Sequence, residues 1–233
     1  MRLRSPEGRG GAFCLALVLC ALFAACGGKT PAGVDRFDAK VYVDGLLRET
    51  YLGEVSREYL DLVDITEKEA KASYEASMEL EGESLLRFCG IEAPSDGLRK
   101  EAADLCREMC AQASFEVVSA AVQEDGTISV KVTVEPVNTL CLVREGWEEA
   151  LASFYEQYPR ETVDERTDEE RTAMDRAYAD AVLELVRTVL PSTGHLTPES
   201  ILVELKPDKE GSYALPDADF ARLTQRVIDY PVG

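Results

Sequence analysis

The stretch "SFEVVSAAVQEDGTISVKVTVEP", residues 114–136, decides the fold class. In its second half Ile128, Val130, Val132 and Val134 fall on one side, with Ser129, Lys131, Thr133 and Glu135 on the other. That period of two belongs to a strand with one buried face. Together with "SFEVVSAAV" before it, and with Glu124, Asp125 and Gly126 supplying a turn between the halves, this second half predicts an antiparallel hairpin. Pro136 cannot donate to a sheet ladder and so ends the second strand or puts it at an edge.

Outward from the hairpin the period changes to 3.6. Towards the N-terminus, Ser95 opens a helix with Leu98, Ala102, Leu105, Cys106 and Met109 on one side. Before it, Thr66 and Glu69 form a capping-box pair, Thr-x-x-Glu, at the head of a long helix through Phe88 that Gly90 ends. Its inner side carries Ala70, Tyr74, Ser77, Met78, Leu85 and Phe88. A short helix follows Ser56, and residues 37–53 make an earlier one, with Ala39, Val43, Leu46 and Leu47 inward and Gly53 as its stop.

Towards the C-terminus, Trp147, Leu151, Phe154 and Tyr158 predict one helix stopped before Pro159. A second capping box, Thr167 with Glu170, heads a helix carrying Met174, Tyr178, Ala181, Val182, Leu185 and Val189, closed by Pro191. Residues 200–214 alternate again, with Ile201, Val203 and Leu205, a turn around "PDKEGS" and then Tyr213. A last helix from Asp217 presents Phe220, Leu223, Val227 and Ile228. Helices segregated from a few antiparallel strands predict an α+β fold, several helices packed on a small antiparallel sheet built from two hairpins. The order also allows two related halves split near residue 140; chain length favours one domain over residues 35–233.

The N-terminus has a different character. Arg2, Arg4 and Arg9 precede "AFCLALVLCALFAA", fourteen residues from Ala12 to Ala25 without a charge. This is the form of a secretory signal peptide. It falls short of the roughly 20 apolar residues that a spanning helix needs. Phe23, Ala24, Ala25 and Cys26 resemble the lipobox of bacterial lipoproteins, with phenylalanine where leucine is usual. The resemblance implies diacylglycerol on the Cys26 sulfur, such as a palmitate-bearing one, and cleavage before Cys26, so that residues 1–25 are a signal peptide. Residues 26–34 are then the lipidated N-terminus and a flexible Gly/Pro linker.

The pattern Tyr42-Val43-x-x-Leu46-Leu47-x-x-x-Tyr51-x-Gly53 and the closing "KPDKEGSYALPDADFARLTQRVID" resemble a group of small uncharacterised lipoproteins of gut Firmicutes with a domain of unknown function. That likeness implies a location and no activity.

Removing residues 1–25 takes three arginines and one glutamate from 25 basic and 44 acidic residues, leaving 208 residues with net charge −21. A body this acidic is repelled by phosphate backbones and anionic lipid, which disfavours nucleic-acid binding and unaided membrane docking. "EVSREYLDLVDITEKEA" (54–70) and "RETVDERTDEERTAMDR" (160–176) mix both signs as solvated helix faces do.

No motif for a metal or cofactor is present: no Asp-x-Asp-x-Asn-Gly loop, H-E-x-x-H, G-x-S-x-G, phosphate-binding loop or dinucleotide fingerprint. Cys14 and Cys20 lie in the leader. Cys89, Cys106, Cys110 and Cys141 allow two disulfides or four free thiols; a bond from Cys89 to Cys106 or Cys110 would staple two helices. His195, the one histidine, sits in a Gly/Pro/Ser loop, and Trp147 begins an apolar helix face. No catalytic residue emerges.

The expectation is a lipid-anchored protein on the outer face of the cell membrane that binds an envelope ligand or protein. The alternative is an envelope hydrolase using Asp/Glu pairs; so many acids make pairs too common to discriminate.

Overall fold

The computed structural model describes residues 38–159, 166–207 and 212–231. The chain runs α1 (Ala39–Leu52), α2 (Arg57–Val63), α3 (Glu67–Phe88), α4 (Asp96–Cys110), β1 (Ser114–Val122), β2 (Ile128–Glu135), α5 (Thr139–Ala150), α6 (Ala152–Gln157), α7 (Asp168–Val189), β3 (Glu199–Pro207), β4 (Tyr213–Ala214) and α8 (Asp217–Thr224). A single 3-10 turn, Leu190–Ser192, follows α7 and contains Pro191.

The helix starts are where side-chain caps demand them. The Asp38 carboxylate accepts from the Lys40 and Val41 amides at 2.9 and 3.1 Å. Ser56 and Ser95 cap α2 and α4. Thr66–Glu69 and Thr167–Glu170 form reciprocal capping boxes on α3 and α7. Each cap satisfies amides that the first helical turn leaves open, worth about 1 kcal/mol. α1 stops at Gly53, whose φ of 64° lies in the left-handed region.

The two hairpins join into one antiparallel sheet in the order β1-β2-β3-β4. Strand β2 pairs with β1 through Val132↔Val117 and Val130↔Ala120, and with β3 through Val132↔Ile201 and Val130↔Val203. The fold is thus α+β, helices packed on a small antiparallel sheet. Ile128, Val130, Val132, Val134, Ile201, Val203 and Leu205 form the sheet's buried face. Lys131, Ser200, Leu202 and Lys206 point to the opposite, solvent side. The turn expected around "PDKEGS" lies largely outside the described residues.

Both sheet edges are guarded. On β3 the Glu204 amide donates to Asp219 Oδ2 at 3.0 Å, and Arg222 donates to the Leu202 carbonyl, so α8 covers that edge. On β1 the register shifts between Val117 and Ser119, a bulge, and Lys40 Nζ donates to the Val118 carbonyl at 3.2 Å. Bulges and lysines at an edge disfavour pairing with another chain.

α3 and α4 lie against each other at Gly82. A Cβ there would meet the Ala103 backbone nitrogen at 2.8 Å and its Cα at 3.0 Å, so no side chain fits. Ion pairs Arg99–Glu83 and Arg107–Glu75 link the same two helices, and Arg187–Glu101 links α4 to α7. All are partly exposed, which limits each to about 1 kcal/mol or less.

Three expectations need correction. The helix carrying Trp147 starts at Thr139, because Leu140 and Val143 continue its buried side upstream. It is not one helix to Tyr158 but two, broken at Leu151, whose ψ is 0°. The Leu151 amide still reaches the Trp147 carbonyl and the Tyr155 amide the Leu151 carbonyl, so the apolar side runs unbroken through the bend. An apolar spacing preserved across a kink leaves no trace of it in sequence. Last, Val227 and Ile228 lie beyond α8, which ends at Thr224; the Val227 carbonyl accepts from the Val137 amide at 2.9 Å. Their burial is as expected, but a backbone bridge to Val137 replaces the helix.

Candidate functional site

The described chain concentrates its buried ionisable groups in the layer of α1, α3 and α4. The buried apolar side of α3 skips from Met78 to Leu85, six residues lying between, and Glu81 fills the gap. Glu81 is 3% exposed. Tyr230, on the segment after α8, donates its hydroxyl to Glu81 Oε1 at 2.8 Å. Burial pushes the Glu81 carboxyl up to about 7, against smaller opposing effects of that hydrogen bond and of Arg87.

Glu49 on α1 is the second such acid, 1% exposed. Gly45, one turn earlier, lets the Tyr59 ring lie on the helix: a Cβ there would sit 2.2 Å from the ring. The Tyr59 hydroxyl thereby reaches Glu49 Oε2 at 2.7 Å. Ser73 also favours the charged form, but Oε1 has no hydrogen-bond partner, and burial wins, raising the carboxyl above its ordinary value. A neutral acid is the cheaper occupant of such a site, because an ionised oxygen without a partner loses far more hydration.

Each acid therefore holds a proton more tightly than a surface carboxyl does. Neither faces solvent, so a substrate has no access to them in this conformation. They do not form the open pair that general acid–base hydrolysis uses.

Among the cysteines, the structure separates three from one. Cys89, Cys106 and Cys110 are buried and close enough to act on one another electrostatically, with Glu81 acting on Cys106 and Cys110. Cys141 lies apart and donates its thiol to Asp229 Oδ2 at 3.0 Å. All four are free thiols in the structure. Burial raises the Cys89 thiol to about 12 and those of Cys106 and Cys110 well above their ordinary value. Burial and the Asp229 carboxylate take Cys141 to about 12. Thiols held protonated this firmly are poor nucleophiles and poor metal ligands. No cluster of three or more His, Cys, Asp or Glu with metal-binding geometry occurs among the described residues.

His195 is exposed and its Nε2 contacts the Gln112 carbonyl at 2.7 Å. A carbonyl only accepts, so Nε2 carries the proton, and the ring ties its loop to the end of α4. Trp147 is buried in the core, as its spacing predicts. Cys26 lies outside the described residues.

Sequence reasoning missed Glu49, Glu81 and Tyr230. The interrupted apolar side of α3 is a signal for Glu81. Nothing local distinguishes Glu49 or Tyr230, whose partners are 10 and 149 residues away.

No family model matches the chain, and no curated protein matches it. Among solved structures, the crystal structure of a "putative lipoprotein (ycdA)" from Bacillus subtilis is similar, with a TM-score of 0.55 at 14% identity. The match covers 84% of this chain and 58% of that one, so the chain spans little more than half the length of the protein it resembles. At that identity the likeness is one of fold.

Proposed function

We propose that this chain is a lipid-anchored extracytoplasmic lipoprotein whose acidic α+β body binds a ligand or an envelope partner rather than catalysing a reaction. The observation that carries the reading is Phe23-Ala24-Ala25-Cys26 at the end of a fourteen-residue apolar run. The shared fold with a Bacillus subtilis protein described as a lipoprotein supports it. The enclosure of Glu49 and Glu81 also favours binding over hydrolysis, since it leaves no exposed acid pair at these raised carboxyls.

The anchor follows from chain physics. Each buried methylene contributes about 0.8 kcal/mol, and two acyl chains hold where one binds reversibly. No helix among the described residues is long and apolar enough to cross a membrane. An acidic body repelled by anionic headgroups needs such an anchor to stay at the membrane.

Replacing Cys26 by Ala, or adding a globomycin-type inhibitor of lipoprotein signal peptidase, should leave uncleaved precursor. Unchanged mobility and membrane fractionation in both experiments would refute lipidation. Intact-mass measurement of the mature protein reads the acyl chains directly. It also counts disulfides, each lowering the mass by two hydrogens; the pairing we propose for an oxidising envelope joins Cys89 to Cys106 or Cys110. Affinity capture from native envelopes, with the anchor in place, addresses the partner.

A further inference from the structure

The segment after α8 is held at four points, by four different interactions. The Val137 amide donates to the Val227 carbonyl at 2.9 Å, and the Asp229 amide donates back to the Val137 carbonyl at 3.0 Å. The Cys141 thiol donates to Asp229. The Tyr230 ring meets Phe88 edge-on, centroids 5.8 Å apart. Finally, the Tyr230 hydroxyl passes into the α3–α4 layer and donates to Glu81. The backbone bridge at Val137 is buried, with Val227 and Ile228 in the core, and the thiol and ring contacts are partly exposed. The fourth joins the segment to a carboxyl enclosed in the protein.

We propose that residues 229–231 form a proton-gated strap, seated on α3 while Glu81 is protonated and released as Glu81 ionises. The groups acting around Glu81 are Arg87 on its own helix, Tyr51 from α1, Cys106 and Cys110 from α4, and Tyr230 from the strap. Burial keeps the tyrosine and both cysteines protonated at neutral pH, and Arg87 is the one positive charge among them. An ionised Glu81 therefore has little to balance it when the strap is closed. Lifting Tyr230 lets water reach the carboxylate, and the open form then takes the ionised acid at little cost.

The sign follows from linkage. Closed, Glu81 binds its proton up to about pH 7; open and hydrated, only to roughly pH 4.3. Between those limits the closed form holds more protons, so opening becomes easier as pH rises and levels off above about pH 7. Such a gap raises the opening constant by at most about 500-fold.

Hydrogen exchange of the full chain in detergent, corrected for intrinsic chemical rates, tests this at pH 5 and pH 8. The Asp229 amide should lose protection by tens of fold on going to pH 8, while the β2–β3 amides at Val130 and Val203 keep theirs. Glu81→Gln, which still accepts from Tyr230, should abolish the pH dependence. Tyr230→Phe should raise exchange at Asp229 already at pH 5 and make Cys106 and Cys110 more accessible to a disulfide reagent. It removes one hydroxyl from a half-buried ring and so decides the matter if Glu81→Gln fails to fold. Exchange at Asp229 independent of pH, a pH dependence that persists in Glu81→Gln, or equal loss of protection at Val130 would each overturn the proposal.

Discussion

The interior of the sheet and the interior of the helical layer are built on different principles. Beneath β2 and β3 the buried side chains are valine, isoleucine and leucine without a single ionisable group. Between α1, α3 and α4 the buried set includes Glu49, Glu81, Ser77, three cysteines and tyrosines whose hydroxyls bond inward. The first interior depends on area removed from water and is indifferent to pH. The second adds polar groups whose protonation state is part of the packing, so its stability is tied to pH. One chain thus carries a dry half and a titratable half around a shared core.

The largest expected effect tests whether the titratable half is also closely packed. Gly82→Leu should destabilise the protein by about 4 kcal/mol or more, because the side chain would meet the Ala103 backbone and not a movable side-chain end. Even Gly82→Ala should be unfavourable, although alanine gains about 1 kcal/mol in helix propensity over glycine. Urea unfolding measures both. A Gly82→Ala variant more stable than the parent would show that α3 and α4 can part without loss, and the contrast with the tightly paired sheet would sharpen.

The next effect is the pH dependence itself. Both Glu49 and Glu81 have carboxyls raised in the folded state, so the fold binds more protons than the unfolded chain above the ordinary carboxylate range. Their contribution is full below about pH 4.3 and is lost as pH climbs towards about 7 for Glu81. The global unfolding free energy should therefore fall by on the order of 2 kcal/mol between pH 5 and pH 8 through Glu81. In Glu81→Gln that fall should shrink, leaving the smaller part due to Glu49. Chemical denaturation at several pH values reads this directly; an identical slope in parent and variant would break the distinction between the two interiors.

These differences mark what was legible in the sequence. The sheet could be read because its period of two is uninterrupted: Ile128, Val130, Val132 and Val134 alternate with polar residues without exception, and all four are buried. The helix starts were legible because Thr66–Glu69 and Thr167–Glu170 are local motifs, closed within three residues. The buried acids were not, since a glutamate on a helix reads as solvated unless its partner is known. Tyr230 reaches Glu81 across 149 residues, and the Leu151 bend preserves the apolar spacing that would have revealed it. Long-range pairing carries no local pattern. The three buried cysteines, Cys89, Cys106 and Cys110, could be named from the sequence but not brought together by it.

The smallest effect locates the edge of the dry half. Val130 and Val122 both lie on the sheet's inward face, Val130 opposite Ala120 and Val203, Val122 opposite Ile128. Val130 is fully buried, whereas Val122, beside the hairpin turn at the end of β1, is 60% exposed. Valine to threonine keeps the shape and adds a hydroxyl, so the same change asks each position whether water is already there. At Val130 the hydroxyl would be enclosed among aliphatic side chains, at a cost of about 1 to 3 kcal/mol. At Val122 it would remain hydrated, and Val122→Thr should change stability by less than about 0.5 kcal/mol. Thermal unfolding of the pair compares them under one condition. Equal losses would mean that the aliphatic interior, which already includes Val117 on β1, covers that strand to its hairpin end.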